Sequence, residues 1–320
     1  MKEKGLVGML LSSQAFWVTV ALVIICLVMS IREPRFATED NFYNITRNFA
    51  FIGIMALGMT AVIITGGIDL SVGSIMGLVA VAAGLTLEAQ YPWWAAILAG
   101  LAAGLVAGLI NGLLIAYVGL SSFVVTLGML SAARSAAVVL SGNRMIYNFG
   151  PGGPTFKVLG GGAIFSVANP VWVLLLLTII FSIVMHMSTW GRHLLAVGGN
   201  AQAANLTGVP VKRVTVLAYT ISGLSAAVAA ILSVGWAGSA INALGTGYEL
   251  RAIASSVIGG ANLMGGEGGA FGAVIGSALL EVIRNSLLMA GVDSNWQGVF
   301  VGIFLVLAVL LERIRGKRRE

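Results

Sequence analysis

Apolar runs of membrane-crossing length recur along this chain almost from end to end, and no other feature limits its fold so strongly. The hydrocarbon core of a bilayer is about 30 Å thick and needs roughly 17–25 apolar residues to cross it as a helix. Runs of that kind fall at 15–31, 49–65, 70–87, 93–118, 122–140, 171–187, 214–234, 268–290 and 297–311. Only 9% of residues are charged and 58% are hydrophobic, against about 25% charged in a soluble domain. The expected class is all-α: one polytopic membrane domain over 1–320, with no separate soluble domain.

Charge then tests the count. Short basic loops stay on the cytoplasmic side. The start of the chain (Lys2, Lys4), the interval 188–213 (Arg192, His193, Lys212, Arg213) and the end (Arg313, Arg315, Lys317, Arg318, Arg319) are all basic. Six runs separate the first two, an even number that agrees. Three separate the last two, and that parity fails. The missing crossing must lie between Trp236 and Gly268, where 250–264 is the one candidate. It is short and contains Gly259-Gly260. The expectation is therefore ten crossings, one of them short or broken, with both termini cytoplasmic. The first run lacks a small-residue cleavage site and reads as a retained anchor. Five more basic residues, Arg32, Arg35, Arg47, Arg144 and Lys157, fall in two outer loops, 32–48 and 141–170. The net charge of +6 thus sits at membrane edges, which predicts contact with lipid and not with nucleic acid. The seven tryptophans fall at run ends, as an interfacial belt requires.

The interval 188–213 is the one long polar stretch between two apolar runs. Asn200 can cap a short helix over 201–206, and Gly208 with Pro210 can stop it. A six-residue helix does not hold itself in water, because isolated helices below about 12 residues are marginal. It is either an ordinary structured connection or an element that a soluble partner receives.

Glycine spacing predicts close helix packing. Gly100, Gly104, Gly108 and Gly112 form one four-residue ladder, and Gly268, Gly272 and Gly276 another. In lipid such flat faces let backbones touch, either within one chain or between two. At 66–73, two glycines precede Asp69, Ser71 and Gly73. Asp69 or Ser71 can cap the next helix, where a carboxylate suits the positive dipole end. Alternatively, Gly66 and Gly67 break the helix beside a substrate or ion path. The similar quartet at 259–262 hints at an internal repeat. Arg134 lies alone in an apolar run and needs a partner on another helix, whereas Glu281 and Arg284 can neutralise each other at i,i+3. Asn111, Thr126, Asn285 and Gln297 are polar groups at membrane depth that could bind a hydroxylated substrate or join helices.

Several chemistries are absent. There is no GxxxxGK[ST], no Cys/His cluster, and no Ser/His or paired-carboxylate arrangement. The single cysteine, Cys26, rules out an intramolecular disulfide. Enzyme readings therefore fall away.

Three stretches together resemble the permease subunit of bacterial ABC importers for ribose and related monosaccharides. They are GMTAVIITGGIDLSVGSIMGL at 58–78, GRHLLAVGGNAQAANLTGV at 191–209 and GTGYELRAIASSVIGGANLMGG at 245–266, within a likeness that runs from about 41 to 311. The resemblance implies that Gly199, Asn200, Ala203, Ala204 and Gly208 belong to a coupling loop whose helix enters a groove on an ATPase subunit. It places Asn285, Gln297 and Arg134 at family positions. It also implies a second permease chain, identical or related, and a periplasmic sugar-binding protein, with ATP and Mg held by the ATPase and no cofactor in this chain. Ser121 departs from a common proline, and Arg251 stands where the family usually has an acid. Two other readings share the apolar architecture: a branched-chain amino acid permease, and an ion-coupled secondary transporter using Asp69 or Glu281.

Overall fold

A computed structural model describes residues 13–293 together with 296, 298–300, 302, 303 and 306. The expected last run at 297–311, Gln297, the Lys2/Lys4 start and the basic end lie outside the described residues, apart from isolated positions of that run. The described chain is almost wholly helical. In order it comprises α1 (Gln14–Arg32), α2 (Glu39–Ile64), α3 (Val72–Glu88), α4 (Trp93–Leu113, extended by a wider turn over Leu114–Val118), α5 (Ser122–Ser141), α6 (Gly153–Gly161), a two-residue hairpin β1–β2 (Ala163–Ile164, Val167–Ala168), α7 (Asn169–Met187), α8 (Thr189–Gly199), α9 (Ala201–Leu206), α10 (Val211–Ala237), α11 (Tyr248–Ile258) and α12 (Ala270–Met289).

Seven of these helices are long and apolar enough to cross a membrane: α1, α2, α4, α5, α7, α10 and α12. The 17-residue α3 is shorter and apolar. The expected crossing at 250–264 is in fact an eleven-residue helix, α11, that stops at Gly259. At 1.5 Å per residue it is about 16 Å long, so it does not span by itself. A count of ten is not reached among the described residues. The outer loop expected at 32–48 also shrinks. Thr38 caps α2 by accepting the Asn41 amide, so the helix already begins at Glu39 and Arg47 lies within it.

The core is α2, 83% of whose best apolar window is buried. It is wrapped by α10, α12, α11 and α7. The first glycine ladder packs within the chain, against α10. A Cβ on Gly104 would stand 2.6 Å from the Ala227 Cβ, and one on Gly108 would stand 3.1 Å from the Thr220 Cα. The second ladder packs on α11, with Gly272 against Gly259 and Gly276 against Ser255. Small residues do here what hydrophobicity cannot do in lipid, letting dispersion contacts form at backbone distance.

The loops sort to two ends. At one end Arg144 bridges Glu88 (2.6 Å), and Ile146 pairs with Ala240. At the other end lie the breaks after α2 and α11 and the α8–α9 pair. The long helices thus alternate in direction between the two ends, with α11 running antiparallel to α12.

Candidate coupling site and buried polar cluster

The polar interval 188–213 contains two helices, not one. Ser188 caps α8 by accepting the Gly191 amide, and Asn200 caps α9 by accepting the Ala203 amide at 2.9 Å. Gly208 closes α9 with φ +85°, the left-handed conformation that a glycine adopts without strain. The sequence-based bounds for α9 match the structure, whereas α8 was not legible. Its apolar residues are sparse, and only Gly191, Leu194 and Val197 are buried.

Helix α8 packs on the end of α2 and on the Gly265-Gly266 turn that follows α11. The Gly266 amide donates to the Ile64 carbonyl (2.9 Å), joining the end of α2 to the turn after α11. Gly198 of α8 packs into that joint. A Cβ there would collide with the Ile64 carbonyl oxygen and the Gly266 nitrogen. Gly265 (φ +94°) in turn packs on Gly198. The neighbouring Gly199 has open space around it. Three backbone segments therefore meet with almost no side chain between them, a contact with little compliance.

On α9, Ala204 is buried against its own chain, at 5% exposure. This redirects one expectation: Ala204 anchors the helix and does not offer its side chain to a partner. The outward residues are Ala201, Gln202, Ala203, Asn205 and Leu206. Leu206 is 88% exposed, a large apolar group left uncovered on a polar loop.

Above the coupling joint, Asp69 is completely buried. Its Oδ1 accepts from the Ser71 amide (2.9 Å) and hydroxyl (2.5 Å), and its Oδ2 accepts from the Ser222 hydroxyl of α10 (2.8 Å). The Asn111 amide of α4 donates to the Ser71 hydroxyl (2.9 Å). Thr126 of α5 donates to the Ile68 carbonyl (3.3 Å), and Gly67 lies against the Tyr219 hydroxyl. Asp69 does not cap α3. It closes a turn onto Ser71 and ties the broken segment to α10, while Asn111 and Thr126 bind the same segment from α4 and α5. Gly66, with φ +79°, supplies the reversal. The structure brings together Gly66, Gly67, Asp69, Ser71, Asn111 and Thr126, and it leaves Arg134 and Asn285 elsewhere. Asn285 exchanges side-chain hydrogen bonds with Asn41 (2.8 and 3.3 Å), joining α12 to the first turn of α2. Glu281 is paired with Arg284 at i,i+3, with Nε to Oε2 at 2.8 Å.

Two features escaped sequence reasoning. Arg47 is stacked over Trp236 at 4.3 Å, a pairing invisible from positions 189 residues apart. Ser222 was one serine among many in α10, although a hydroxyl in the middle of an apolar run signals a polar partner nearby. No group of three or more His, Cys, Asp or Glu residues capable of holding a metal occurs among the described residues.

Comparison with known proteins adds an independent line. Residues 41–309 match the family described as branched-chain amino acid transport system / permease component. The chain is 38% identical to the probable ABC transporter permease protein y4mJ of Sinorhizobium fredii, covering 93% of this chain and 89% of that one. It is 34% identical to the ribose import permease protein RbsC of Escherichia coli, covering 92% of each. It is 35% identical to the autoinducer 2 import system permease protein LsrD of Photorhabdus laumondii, over 92% of this chain and 90% of that one. Among solved structures, an inward-facing metal-chelate type ABC transporter aligns with TM-score 0.51 at 16% identity, covering 93% of this chain and 98% of that one. That likeness concerns the fold.

Proposed function

This chain belongs to the ABC-importer permease family described as branched-chain amino acid transport system / permease component, and from that premise we propose that it forms the membrane path for a ribose-type monosaccharide or a related polyol. It is a multi-pass membrane protein and a transport component, not an enzyme. The family description names amino acids, but the relatives at 34–38% identity carry ribose and autoinducer 2 names, and the substrate class follows them. The ion-coupled alternative loses its two carboxylates, since Asp69 is engaged by three donors and Glu281 by Arg284.

The single observation that carries the reading is the seating of Gly198 on the end of α2 and the Gly265-Gly266 turn, with the exposed α9 beyond it. In this proposal the ATPase receives the outward face of α9, with Ala203 and Leu206 at its centre and Asn200 and Gly208 setting its geometry. ATP and Mg sit on that partner. ATP binding moves α8 and α9, and α8 moves the ends of α2 and α11. A periplasmic binding protein delivers the sugar at the opposite end, and a second permease chain, identical or related, completes the path. Both termini lie in the cytoplasm. The test is reconstitution with the neighbouring ATPase and binding protein, measuring uptake of radiolabelled ribose. Uptake that requires ATP and survives collapse of the proton gradient supports the reading. Uptake that follows the proton gradient without ATP refutes it.

A further inference from the structure

The segment between α10 and α11, residues 238–247, does not return over the outer surface. It runs down the glycine face of α3. Ala240 lies against Gly84, the carbonyls of Asn242 and Leu244 against Gly77, and the Gly245 carbonyl against Gly73. Gly73 is fifteen residues from Glu88 at the outer end of α3, so the segment reaches about 22 Å below that rim at 1.5 Å per residue. This is non-helical backbone at membrane depth. Its carbonyls are satisfied from the side by Arg134 of α5, which donates to the Asn242 and Leu244 carbonyls (the latter at 3.1 Å) and reaches the Gly73 carbonyl at 3.4 Å. This is the partner that Arg134 lacked in the sequence. The Asn242 side chain donates to Ser141 (3.2 Å) and Asn143 (3.1 Å). Glu249, at the start of α11, places a carboxylate against Gly73 and acts electrostatically on Arg134.

The opposite side of the segment is uncovered, with Ile241, Ala243 and Thr246 exposed. Irregular backbone within the hydrocarbon region is tolerated only where protein buries it or water reaches it. The surroundings are polar: the exposed Ser131 and Ser135 flank Arg134 on α5, and Thr246 and Glu249 follow on the chain. These hydroxyls beside irregular backbone favour water over lipid on that side, and their chemistry matches a hydroxylated solute.

We propose that segment 238–247, clamped on α3 by Arg134, lines the aqueous path, and that its exposed positions 243 and 246 face the sugar as it passes. Arg134 is a positioning residue, holding the segment's backbone in place. The inference rests on the permease reading above. It adds the residues of the path wall, which neither the family match nor the sequence motifs identify.

The test uses the full complex in membrane vesicles. Cys26 is the sole cysteine of the chain, so Cys26→Ser gives a clean background. Ala243→Cys and Thr246→Cys are compared with Ile179→Cys on the exposed apolar face of α7 and with the buried Ala240→Cys. The probe is a charged, membrane-impermeant methanethiosulfonate, which reacts with the thiolate and therefore needs water at the site. Expected are modification at 243 and 246 at least about tenfold faster than at 179 and 240, slowing when ribose and binding protein are present, and loss of uptake after labelling. Arg134→Gln should free the segment, make position 240 reactive and abolish uptake while the ATPase still co-purifies. Arg134→Lys should restore part of both. If 243 and 246 stay as unreactive as 179 while these variants retain ATP-dependent uptake, the segment is no path wall and the proposal falls, leaving the permease reading intact. If the cysteine-free parent shows no ATP-dependent uptake of any sugar, the permease reading fails, and fast labelling at 243 and 246 still establishes an aqueous cleft.

Discussion

Substitution of Gly198 by alanine tests the coupling joint with a single methyl group. The added Cβ would collide with two backbone atoms, the Ile64 carbonyl oxygen and the Gly266 nitrogen. Neither is the tip of a flexible side chain, so α8 must back away from the joint. Overpacking costs roughly 1–3 kcal/mol, and contact with two backbone atoms puts this case at the upper end, about 2–3 kcal/mol. Alanine recovers up to about 1 kcal/mol through helix propensity, leaving a net loss of about 1–2 kcal/mol in docking. That corresponds to roughly a 5–30-fold shift in the docked population. Gly199→Ala is the internal control: one residue away, with nothing within 4 Å of the added Cβ, it should be neutral or slightly stabilising. Both variants are purified with the ATPase, and three quantities are read: co-purification, basal ATP hydrolysis, and uptake per ATP hydrolysed. For Gly198→Ala, co-purification and basal hydrolysis should persist, because α9 remains outward, while uptake per ATP falls several-fold. Gly199→Ala should match the parent in all three. Equal coupling ratios in the two variants would show that the Gly198 contact transmits nothing.

Three further outcomes follow from the packing and the site. Gly108→Leu should drive α4 away from α10, where a Cβ already stands 3.1 Å from the Thr220 Cα, so membrane levels should fall sharply, and normal expression with normal uptake would contradict an intrachain ladder. Asp69→Ala leaves the Ser71 amide and the Ser222 hydroxyl without their acceptor in a buried site, at about 1–3 kcal/mol for each orphaned group. Reduced thermal stability in detergent checks this, with Asp69→Asn milder because it keeps one acceptor. On α9, Ala203→Arg and Leu206→Asp should abolish ATPase pull-down at unchanged membrane levels. Ala204→Arg should instead unseat the helix itself, seen as new protease sensitivity between 199 and 210, and protection equal to the parent would argue against its buried placement.

Much of the architecture was legible in the chain because lipid imposes few choices. A run of about twenty apolar residues must be a helix, so the bounds of α4, α5, α7 and α10 could be read to within a few residues. The α9 helix was legible too, because Asn200 and Gly208 mark it by local backbone chemistry. The Glu281–Arg284 pair needed only helical spacing. These signals are local and depend on residues at most a few turns apart. What the sequence could not decide was which backbone segments touch. Gly198, Gly199, Gly265 and Gly266 look alike as letters, yet Gly198 has two main-chain atoms in its way and Gly199 has none. Asp69 offered a cap or a path, and only the arrival of Ser222 from α10 made it a tie between helices. Arg134 lacked a partner because that partner is main chain, the carbonyls of a segment more than a hundred residues away, and a carbonyl exists at every position of the sequence. Side-chain type predicts burial and helix ends, but contacts made by backbone carry no letter, and tertiary packing alone assigns them.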